Sequence, residues 1–455
     1  MQIKRRAFLG MALSGAATMG LVACGGSGDG ASSSDAAADK ALTGTYAIHV
    51  GGYDWGPGVD KAIITFDAQL DAVSASDFTV TETKQVTDWS DETFPVIETT
   101  FDRQVTDAYL ADAEGNKVGE ASNTVALELY VSPADGGNMV FNMDTQFATW
   151  SDPYYLSFAM AEGAALTSDG VPVTSVSIEQ NPSAQTTAAD MFKAGQFTSS
   201  DGITFDYMSY TPEEESDALL VWLHGMGEGG GQVTGKTSPY APLLGGRVTA
   251  LAGEDLQGKA PIHVLAPQCP TVWSDIDGKM TNFQNGIDLR DDCHYREALA
   301  ELIDSYAEEI GATKIVIAGC SAGGYMTMNL AAHYQGKYTA YVPVCEAYKD
   351  RFITDEQIAG LAKVPMFFIH SANDDTVDGN ENTMPTMERL KAAGATELHS
   401  HISEKVVDTS GLYTNEDGSP YEYGGHFAWV YFHNNEADCD ECGIPVFDWI
   451  VEQVK

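Results

Sequence analysis

Two kinds of hydrophobic pattern divide the chain. In residues 45–180, apolar and polar residues alternate in short runs, as they do at Val125, Leu127, Leu129 and Val131. Alternation with a period of two is typical of strands with one buried face. Turn-rich breaks separate these runs, and no long stretch of helical spacing intervenes. The pattern therefore predicts an antiparallel β-sandwich over this range, of immunoglobulin-like arrangement.

After residue 181 the pattern changes to continuous apolar runs separated by segments with helical spacing. Four such runs predict buried parallel strands, at residues 219–223, 262–266, 315–318 and 366–369. Apolar residues then recur at helical spacing from Leu299 to Ile310, and Val446 to Val454 form a last amphipathic segment. Strand, helix and strand in this order predict an α/β domain with a mostly parallel sheet over residues 181–455.

The N-terminus has the order of segments found in an export signal. The basic residues Lys4, Arg5 and Arg6 precede a small, apolar run that ends at Cys24. That run is too short for a comfortable transmembrane span, and Leu21-Val22-Ala23-Cys24 resembles the lipobox of bacterial lipoproteins. The resemblance implies a signal peptide over residues 1–23, which is cleaved to leave a diacylated Cys24.

We therefore expect an exported protein that is attached to the membrane by lipid and faces away from the cytoplasm. Two arginines in the basic region leave both the general secretory and the twin-arginine route open. After Cys24, residues 25–38 are Gly, Ser, Ala and Asp with no large apolar side chain, so we predict a flexible tether over residues 24–44.

Charge narrows the possible partners. The 66 acidic and 24 basic residues give a formal net charge of -42, which repels nucleic acid. The acidic residues are scattered, and no segment has the spacing of a calcium-binding loop. We expect no nucleic-acid partner, no metal and no organic cofactor.

Seven cysteines are present, and six remain without Cys24. In an oxidising compartment, the close pair Cys439 and Cys442 predicts a local disulfide in preference to a metal or redox site. A bridge between Cys320 and Cys345 is also conceivable, because both follow predicted strands.

The strongest chemical motif is the turn Gly319-Cys320-Ser321-Ala322-Gly323. It joins a buried strand to a helical segment, which is the context of a nucleophile elbow. The two flanking glycines permit a tight turn, so that Ser321 projects at its tip as the candidate nucleophile. Cys320 is expected to point toward the sheet as a small apolar side chain.

A serine nucleophile needs a base and an acid, which follow it in the chain in this fold. His426 lies in a glycine-flanked loop near the C-terminus and is the candidate base, with His433 as its rival. The acid is one of Asp374, Asp375 and Asp378, which share the loop after the strand at 366–369. Sequence spacing alone does not choose among these three carboxylates.

Two backbone amides are candidates for an oxyanion hole. One belongs to Ala322, directly after the nucleophile, and the other to Met226 in the loop His224-Gly225-Met226-Gly227 after the first buried strand. Trp273 and Trp429 lie near these motifs in sequence and are candidates for an aromatic substrate cleft.

Together these motifs identify a resemblance over about residues 197–455. The second domain resembles the polyhydroxybutyrate-depolymerase-like and prolyl-oligopeptidase-like esterases, including proteins known as predicted peptidases, and this implies an α/β-hydrolase fold. The segments that carry it are 223–228, 266–270 with Trp273, 319–324, 370–377, and 425–426 with Trp429.

Within this resemblance the acid falls on Asp374, four residues after His370 and three before Val377, although Ser371 replaces the usual glycine. The first domain is similar in arrangement to the immunoglobulin-like N-terminal domain of some of these esterases.

The expected function is hydrolysis of a small or polymer-linked carboxylic ester through an acyl-enzyme. Ser321 would attack, His426 would carry the proton, and Asp374 would orient His426. A serine peptidase would use the same residues, and acyl transfer to another alcohol also remains open. A third possibility is a surface-binding lipoprotein whose hydrolase domain is catalytically idle.

Overall fold

The computed structural model describes residues 40–235 and 240–455. The predicted signal peptide and Cys24 lie outside the described residues. A β-rich region is followed by an α/β region, as the hydrophobic pattern predicts. No helix among the described residues combines the length and the apolar character needed to cross a membrane.

The first region consists of short strands around an apolar centre. Its strands are β1 Lys40–Tyr53, β2 Gly56–Leu70, β3 Phe78–Thr87, β4 Val96–Arg103, β5 Val105–Ala111, β6 Ser122–Leu129, β7 Met139–Asn142, β8 Phe147–Trp150, β9 Tyr154–Met160, β10 Thr167–Ser168, β11 Val171–Ile178 and β12 Ala184–Thr187. One sheet has the order β10-β11-β1-β2-β6-β5, and a second has the order β4-β3-β9. Inward side chains such as Tyr46, Ile48 and Val50 are almost completely buried, which explains their alternation in sequence.

The sandwich differs from the prediction in strand direction and in extent. β1 pairs in parallel with both β11 and β12, so the sheet is mixed rather than antiparallel. Lys40–Gly44 belong to β1, although we predicted a tether there, and β12 extends the sheet beyond residue 180. Pairing between segments that are more than a hundred residues apart leaves no local pattern, so the sequence could not reveal it.

The second region is an α/β domain. Its strands are β13 Lys193–Thr198, β14 Thr204–Tyr210, β15 Ala218–Leu223, β16 His263–Gln268, β17 Lys314–Cys320, β18 Ala340–Val344, β19 Met366–Ser371, β20 Leu398–Ser403, β21 Val406–Val407 and β22 Glu422–Tyr423. Its α-helices are α1 Gly231–Thr234, α2 Ala241–Leu244, α3 Glu254–Gln257, α4 Thr281–Gln284, α5 Arg296–Ile310, α6 Ala322–His333, α7 Asp355–Leu361, α8 Thr383–Ala392, α9 Trp429–His433 and α10 Val446–Val454.

Eight of these strands form one sheet with the order β13-β14-β16-β15-β17-β18-β19-β20. From β16 to β20 all pairs are parallel, while β13 and β14 are antiparallel additions at one edge. The four predicted apolar runs are the central strands β15, β16, β17 and β19. Three of them are buried throughout, and β17 is buried except at its first two residues. This order confirms the predicted fold class. It also places the carboxyl ends of the parallel strands along one edge of the sheet.

The two regions share a continuous apolar core, in which Val50 of the sandwich and Leu244 of α2 belong to one buried cluster. Asp54 also accepts a hydrogen bond from Asn434 Nδ2 at 3.0 Å. On the other side, the hairpin of β7 and β8 contacts the loop after β15, where Phe147 packs against Gly230. The sandwich therefore touches the loops at the carboxyl edge of the sheet.

Candidate active site

The nucleophile elbow forms where β17 meets α6. Ser321 has φ 55° and ψ -114°, a backbone conformation that non-glycine residues rarely adopt. Two hydrogen bonds hold the turn, from the Ser321 amide to the Val344 carbonyl at 3.0 Å and from the Tyr325 amide to the Ser321 carbonyl at 2.8 Å. The turn places the hydroxyl at the N-terminus of α6, where the helix dipole favours negative charge.

Both flanking glycines are required by contact. A Cβ atom at Gly319 would lie 2.7 Å from the Leu223 carbonyl oxygen. At Gly323 the same oxygen would be 1.9 Å away and the His224 carbonyl oxygen 2.6 Å away. These neighbours are backbone atoms, which cannot rotate aside. The glycine at 323 therefore allows the start of α6 to press against the loop that follows β15.

The side chains of Ser321, His426 and Asp374 come from three different segments and meet in the structure. His426 Nε2 lies 2.8 Å from Ser321 Oγ, and His426 Nδ1 lies 2.8 Å from Asp374 Oδ2. A Cβ atom at Gly425 would lie 2.4 Å from the Asn373 carbonyl oxygen, so a glycine there lets the histidine loop approach the acid loop. The arrangement can move a proton from the hydroxyl to the imidazole.

The loop after β19 fixes which aspartate reaches the histidine. Asp374 has a fully buried side chain, and its Oδ1 accepts hydrogen bonds from the amides of Thr376 and Val377, both at 2.9 Å. Burial raises the pKa of Asp374, but the hydrogen bond and charge of His426 outweigh it, and the pKa is lowered. The alternatives Asp375 and Asp378 are exposed to solvent.

The rival base His433 lies away from this group. Its ring is 2% exposed and packs edge-on against Trp222, with ring centroids 4.4 Å apart. Burial lowers the pKa of His433 to about 3, so the ring is neutral over the ordinary pH range. His433 is a core residue of α9.

The candidate oxyanion donors converge from two segments. Met226 begins a 3₁₀ turn, Met226–Glu228, and Ala322 begins α6. Among the hydrogen bonds of the described residues, neither amide is used, as expected at the first position of a helix. A Cβ atom at Gly225, next to Met226, would lie 3.9 Å from Ser321 Cβ, so the two segments face each other beside the hydroxyl. Both amides are available to a negatively charged oxygen there.

A buried histidine shapes the oxyanion loop. His224 is 1% exposed, its Nδ1 donates to the Gly225 carbonyl, and its Nε2 accepts from the Cys269 amide at 2.9 Å. Burial lowers the pKa of His224 to about 4, which keeps it neutral so that one ring nitrogen can accept. In the sequence, His224 stands out only as part of the loop motif.

Trp273 does not line a cleft. Its side chain is completely buried, and its Nε1 donates to the His224 carbonyl at 3.1 Å. The prediction of a substrate contact is therefore wrong for Trp273, which supports the oxyanion loop from behind. Proximity in sequence to a catalytic motif did not distinguish a supporting side chain from one that faces substrate.

Trp429 remains a candidate cleft residue. It is half-buried, its ring stands perpendicular to the His426 ring with centroids 5.8 Å apart, and its Nε1 donates to the Asp54 carbonyl of the sandwich at 3.4 Å. The first region thus helps to hold an aromatic ring beside the histidine.

Glu228 is a titratable group that the sequence did not reveal. It ends the same 3₁₀ turn as Met226, and a Cβ atom at Gly225 would lie 3.1 Å from its Oε2. Desolvation raises the pKa of Glu228 to about 7, although its own backbone amide and the charge of His426 lower it. Near neutral pH this carboxyl changes charge close to the oxyanion donors.

The six cysteines among the described residues are not bridged. Cys320 and Cys345 are buried free thiols whose pKa is raised well above the usual value, chiefly by desolvation. This fits Cys320 as an apolar filler behind the elbow. Cys439 and Cys442 are also free, so the predicted local disulfide is absent; both thiols instead face His399.

The elbow, the histidine and the carboxylate at the carboxyl edge of a mostly parallel sheet define a serine hydrolase with the α/β-hydrolase fold. Residues 45–196 match the family described as the esterase Ig-like N-terminal domain, and residues 209–406 match the phospholipase/carboxylesterase family. The chain therefore joins an esterase Ig-like domain to a carboxylesterase-type catalytic domain. The predicted resemblance and the predicted class of enzyme are confirmed.

One similar solved structure agrees with this chain at the level of the fold. A thermostable esterase has 19% sequence identity and a TM-score of 0.68, with 90% of this chain and 99% of that chain covered. A ferulic acid esterase has 16% identity and a TM-score of 0.38, with 57% and 98% covered. Est1E from Butyrivibrio proteoclasticus has 14% identity and a TM-score of 0.32, with 46% and 88% covered. No curated protein gives a match.

Proposed function

We propose that this protein hydrolyses carboxylic esters through an acyl-enzyme formed on Ser321. The observation that carries the proposal is the unbroken chain of contacts from Ser321 Oγ through His426 to Asp374, at 2.8 Å and 2.8 Å. Such a chain makes a serine hydroxyl nucleophilic without a metal or an organic cofactor. The carboxylesterase-type family of the catalytic domain supports the same class of substrate.

In the first half of the reaction, Ser321 Oγ attacks the ester carbonyl carbon while His426 Nε2 accepts the hydroxyl proton. The amides of Met226 and Ala322 stabilise the negative oxygen of the tetrahedral intermediate. When that intermediate collapses, His426 returns the proton to the leaving alcohol and the acyl group stays on Ser321. In the second half, water attacks the acyl group while His426 accepts its proton, and the carboxylic acid leaves Ser321.

Asp374 acts through His426 in this mechanism. The aspartate accepts from Nδ1, which leaves Nε2 as the ring nitrogen that faces the serine. The lowered pKa of Asp374 keeps its carboxylate ionised, so that it stabilises the imidazolium that forms during attack.

The substrate is proposed to lie outside the cytoplasm. The basic and apolar order of the first residues and the lipobox-like ending at Cys24 support export followed by attachment through a lipid. On this view the folded domains stand off the membrane on a short tether, and the enzyme acts on small or polymer-linked esters that reach the cell surface.

A fluorophosphonate probe and a paired substrate panel test the proposal. We expect the probe to label the wild-type protein and not Ser321→Ala, and short-chain aryl ester hydrolysis to fall about a millionfold in the variant. The control is Ser419→Ala, which replaces an exposed loop serine and should retain both probe labelling and ester hydrolysis. Circular dichroism of all three proteins checks that folding is unchanged.

The same experiment separates the alternatives. Hydrolysis of peptide anilides with no hydrolysis of aryl esters would replace the ester proposal with a serine peptidase that uses the same residues. A well-folded wild type that the probe does not label would instead indicate an idle hydrolase domain on a surface-binding lipoprotein.

A further inference from the structure

Three metal-binding side chains meet at the far edge of the large sheet, and none of them belongs to the candidate active site. Cys439 and Cys442 lie in the turn before α10, and His399 lies on the edge strand β20. Their ligand atoms are all within 4.8 Å of one another. We refer to these three residues as the thiol cluster.

The distances within the thiol cluster fit a tetrahedral metal ion. His399 Nδ1 is 3.3 Å from Cys439 Sγ and 3.6 Å from Cys442 Sγ. With zinc bonds of about 2.3 Å to sulfur and about 2.0 Å to nitrogen, a regular tetrahedron separates nitrogen from sulfur by about 3.5 Å. The observed separations therefore need little adjustment to hold such an ion.

Backbone hydrogen bonds prearrange the cysteine turn. The Cys439 amide donates to the Ile444 carbonyl at 2.9 Å, and the Gly443 amide donates to the Cys439 carbonyl at 2.7 Å. Gly443 has φ 71°, which lets the chain double back after Cys442. The turn is also docked on β20, because the Asp440 amide donates to the Ser400 carbonyl at 2.7 Å.

The histidine ring is fixed in the orientation that a ligand requires. It stacks on Phe367 with centroids 5.9 Å apart and lies 5.8 Å from the Trp449 ring. Its Nδ1 faces the thiols, while its Nε2 lies 3.9 Å from Glu397 Oε2 on the opposite side. That separation exceeds hydrogen-bonding distance and Glu397 is exposed, so the stacking contacts hold the ring, and this carboxylate does not.

We propose that the thiol cluster binds one Zn²⁺, or a divalent ion of similar softness, through Cys439, Cys442 and His399. Binding releases the two thiol protons to solvent, and two thiolates with a neutral imidazole balance the charge of the ion. Because Cys442 is exposed, the fourth position faces solvent and takes a water molecule. The ion would fasten the turn and the following helix α10 to the edge strand.

Cobalt and zinc titrations of the full-length, reduced, metal-free protein test this proposal. We expect one equivalent of Co²⁺ to produce a thiolate-to-cobalt absorption band, one equivalent of Zn²⁺ to remove it, and zinc to raise the unfolding temperature. Cys442→Ser should lose the band. His401→Gln is the control, because this neighbouring residue hydrogen-bonds to the Asp438 carbonyl and packs on the Tyr431 ring, so its replacement should leave the band unchanged.

The readouts do not depend on esterase activity, and Cys442 is exposed, so its replacement by serine should not prevent folding. Absence of the cobalt band in the reduced wild type would overturn the proposal. Retention of the band in Cys442→Ser would also overturn it. A Cys439–Cys442 disulfide found by peptide mapping, together with no metal uptake after reduction, would assign the pair to a structural bridge instead.

Discussion

The elbow around Ser321 and the oxyanion loop around Met226 face each other, yet they are held in different ways. The elbow is constrained by its own backbone, since Ser321 has φ 55° and neither Gly319 nor Gly323 has room for a Cβ atom against the backbone beside it. The oxyanion loop instead depends on the His224 side chain, which accepts from the Cys269 amide, and on the Trp273 side chain, which donates to the His224 carbonyl.

This difference shows which parts of an active site a sequence can reveal. A strained turn demands particular residues at fixed spacing, so the motif of the elbow carries its own structural requirement. A loop held from behind by a distant tryptophan has no such local requirement. The same contact explains why Trp273 looked like a cleft residue in the sequence and is a support in the structure.

The largest expected effect comes from Gly323→Ala, which places a methyl group between the start of α6 and the oxyanion loop. In Gly323→Ala the new methyl group would lie 1.9 Å from the Leu223 carbonyl oxygen and 2.6 Å from that of His224. We expect the oxyanion loop to be pushed away and kcat/KM for an aryl ester to fall about a thousandfold, as when oxyanion donors are lost. Steady-state kinetics and thermal unfolding of the variant measure both consequences.

Gly119→Ala is the matched control, because a methyl group there meets no atom within 4 Å. It should leave the rate and the unfolding temperature unchanged. If Gly323→Ala kept wild-type kcat/KM, the close approach of α6 to the oxyanion loop would not be needed for catalysis.

A smaller effect is expected when the support behind the loop is weakened. Trp273→Phe keeps a buried ring but removes the hydrogen bond to the His224 carbonyl. An unpaired buried carbonyl costs about 1–3 kcal/mol of unfolding free energy, and a loosened loop should lower kcat/KM about tenfold. Denaturant unfolding and ester hydrolysis of the same preparation provide the two measurements.

Trp449→Phe is the control that distinguishes loss of the hydrogen bond at Trp273 from the change of an indole ring to a smaller phenyl ring. Trp449 is equally buried, but its Nε1 has no hydrogen-bond partner among the described residues. Its replacement should leave ester hydrolysis unaltered. Equal loss of activity in both variants would show that ring size, and not the hydrogen bond to the loop, accounts for the effect at Trp273.

The fold was largely predictable because its strands are continuous apolar runs. β15, β16, β17 and β19 correspond to the four runs, and α10 begins at Val446 as its spacing predicts. The order of the motifs along the chain also predicted which side chains approach Ser321. His426 and Asp374 are both brought to it, although the choice of Asp374 needed the family resemblance.

The remainder depends on contacts that have no local pattern. Parallel pairing of β12 with β1 moved the edge of the sandwich to Thr187, and the contact of Asp54 with Trp429 joined the sandwich to the histidine loop. The desolvation of Glu228 likewise could not be inferred, because its carboxyl looks like any other acidic group in a strongly acidic chain. Its altered pKa arises only when the loops close around it.

The smallest effect concerns that carboxyl and its dependence on pH. The pKa of Glu228 is raised to about 7, so the folded protein favours the neutral form. Its contribution to stability is complete below the ordinary carboxyl pKa and is lost as the pH rises through about 7. Relative to Glu228→Gln, the wild type should therefore lose roughly 2 kcal/mol of unfolding free energy between pH 5 and pH 8.

Activity should change in the same direction, because an ionised Glu228 opposes the negative charge that forms at the neighbouring oxyanion donors. We expect the ratio of kcat/KM for Glu228→Gln to that of the wild type to rise severalfold from pH 6 to pH 8. Parallel pH profiles of the two proteins measure this ratio. A ratio independent of pH would mean that Glu228 does not change charge near the oxyanion donors, and this prediction would be wrong.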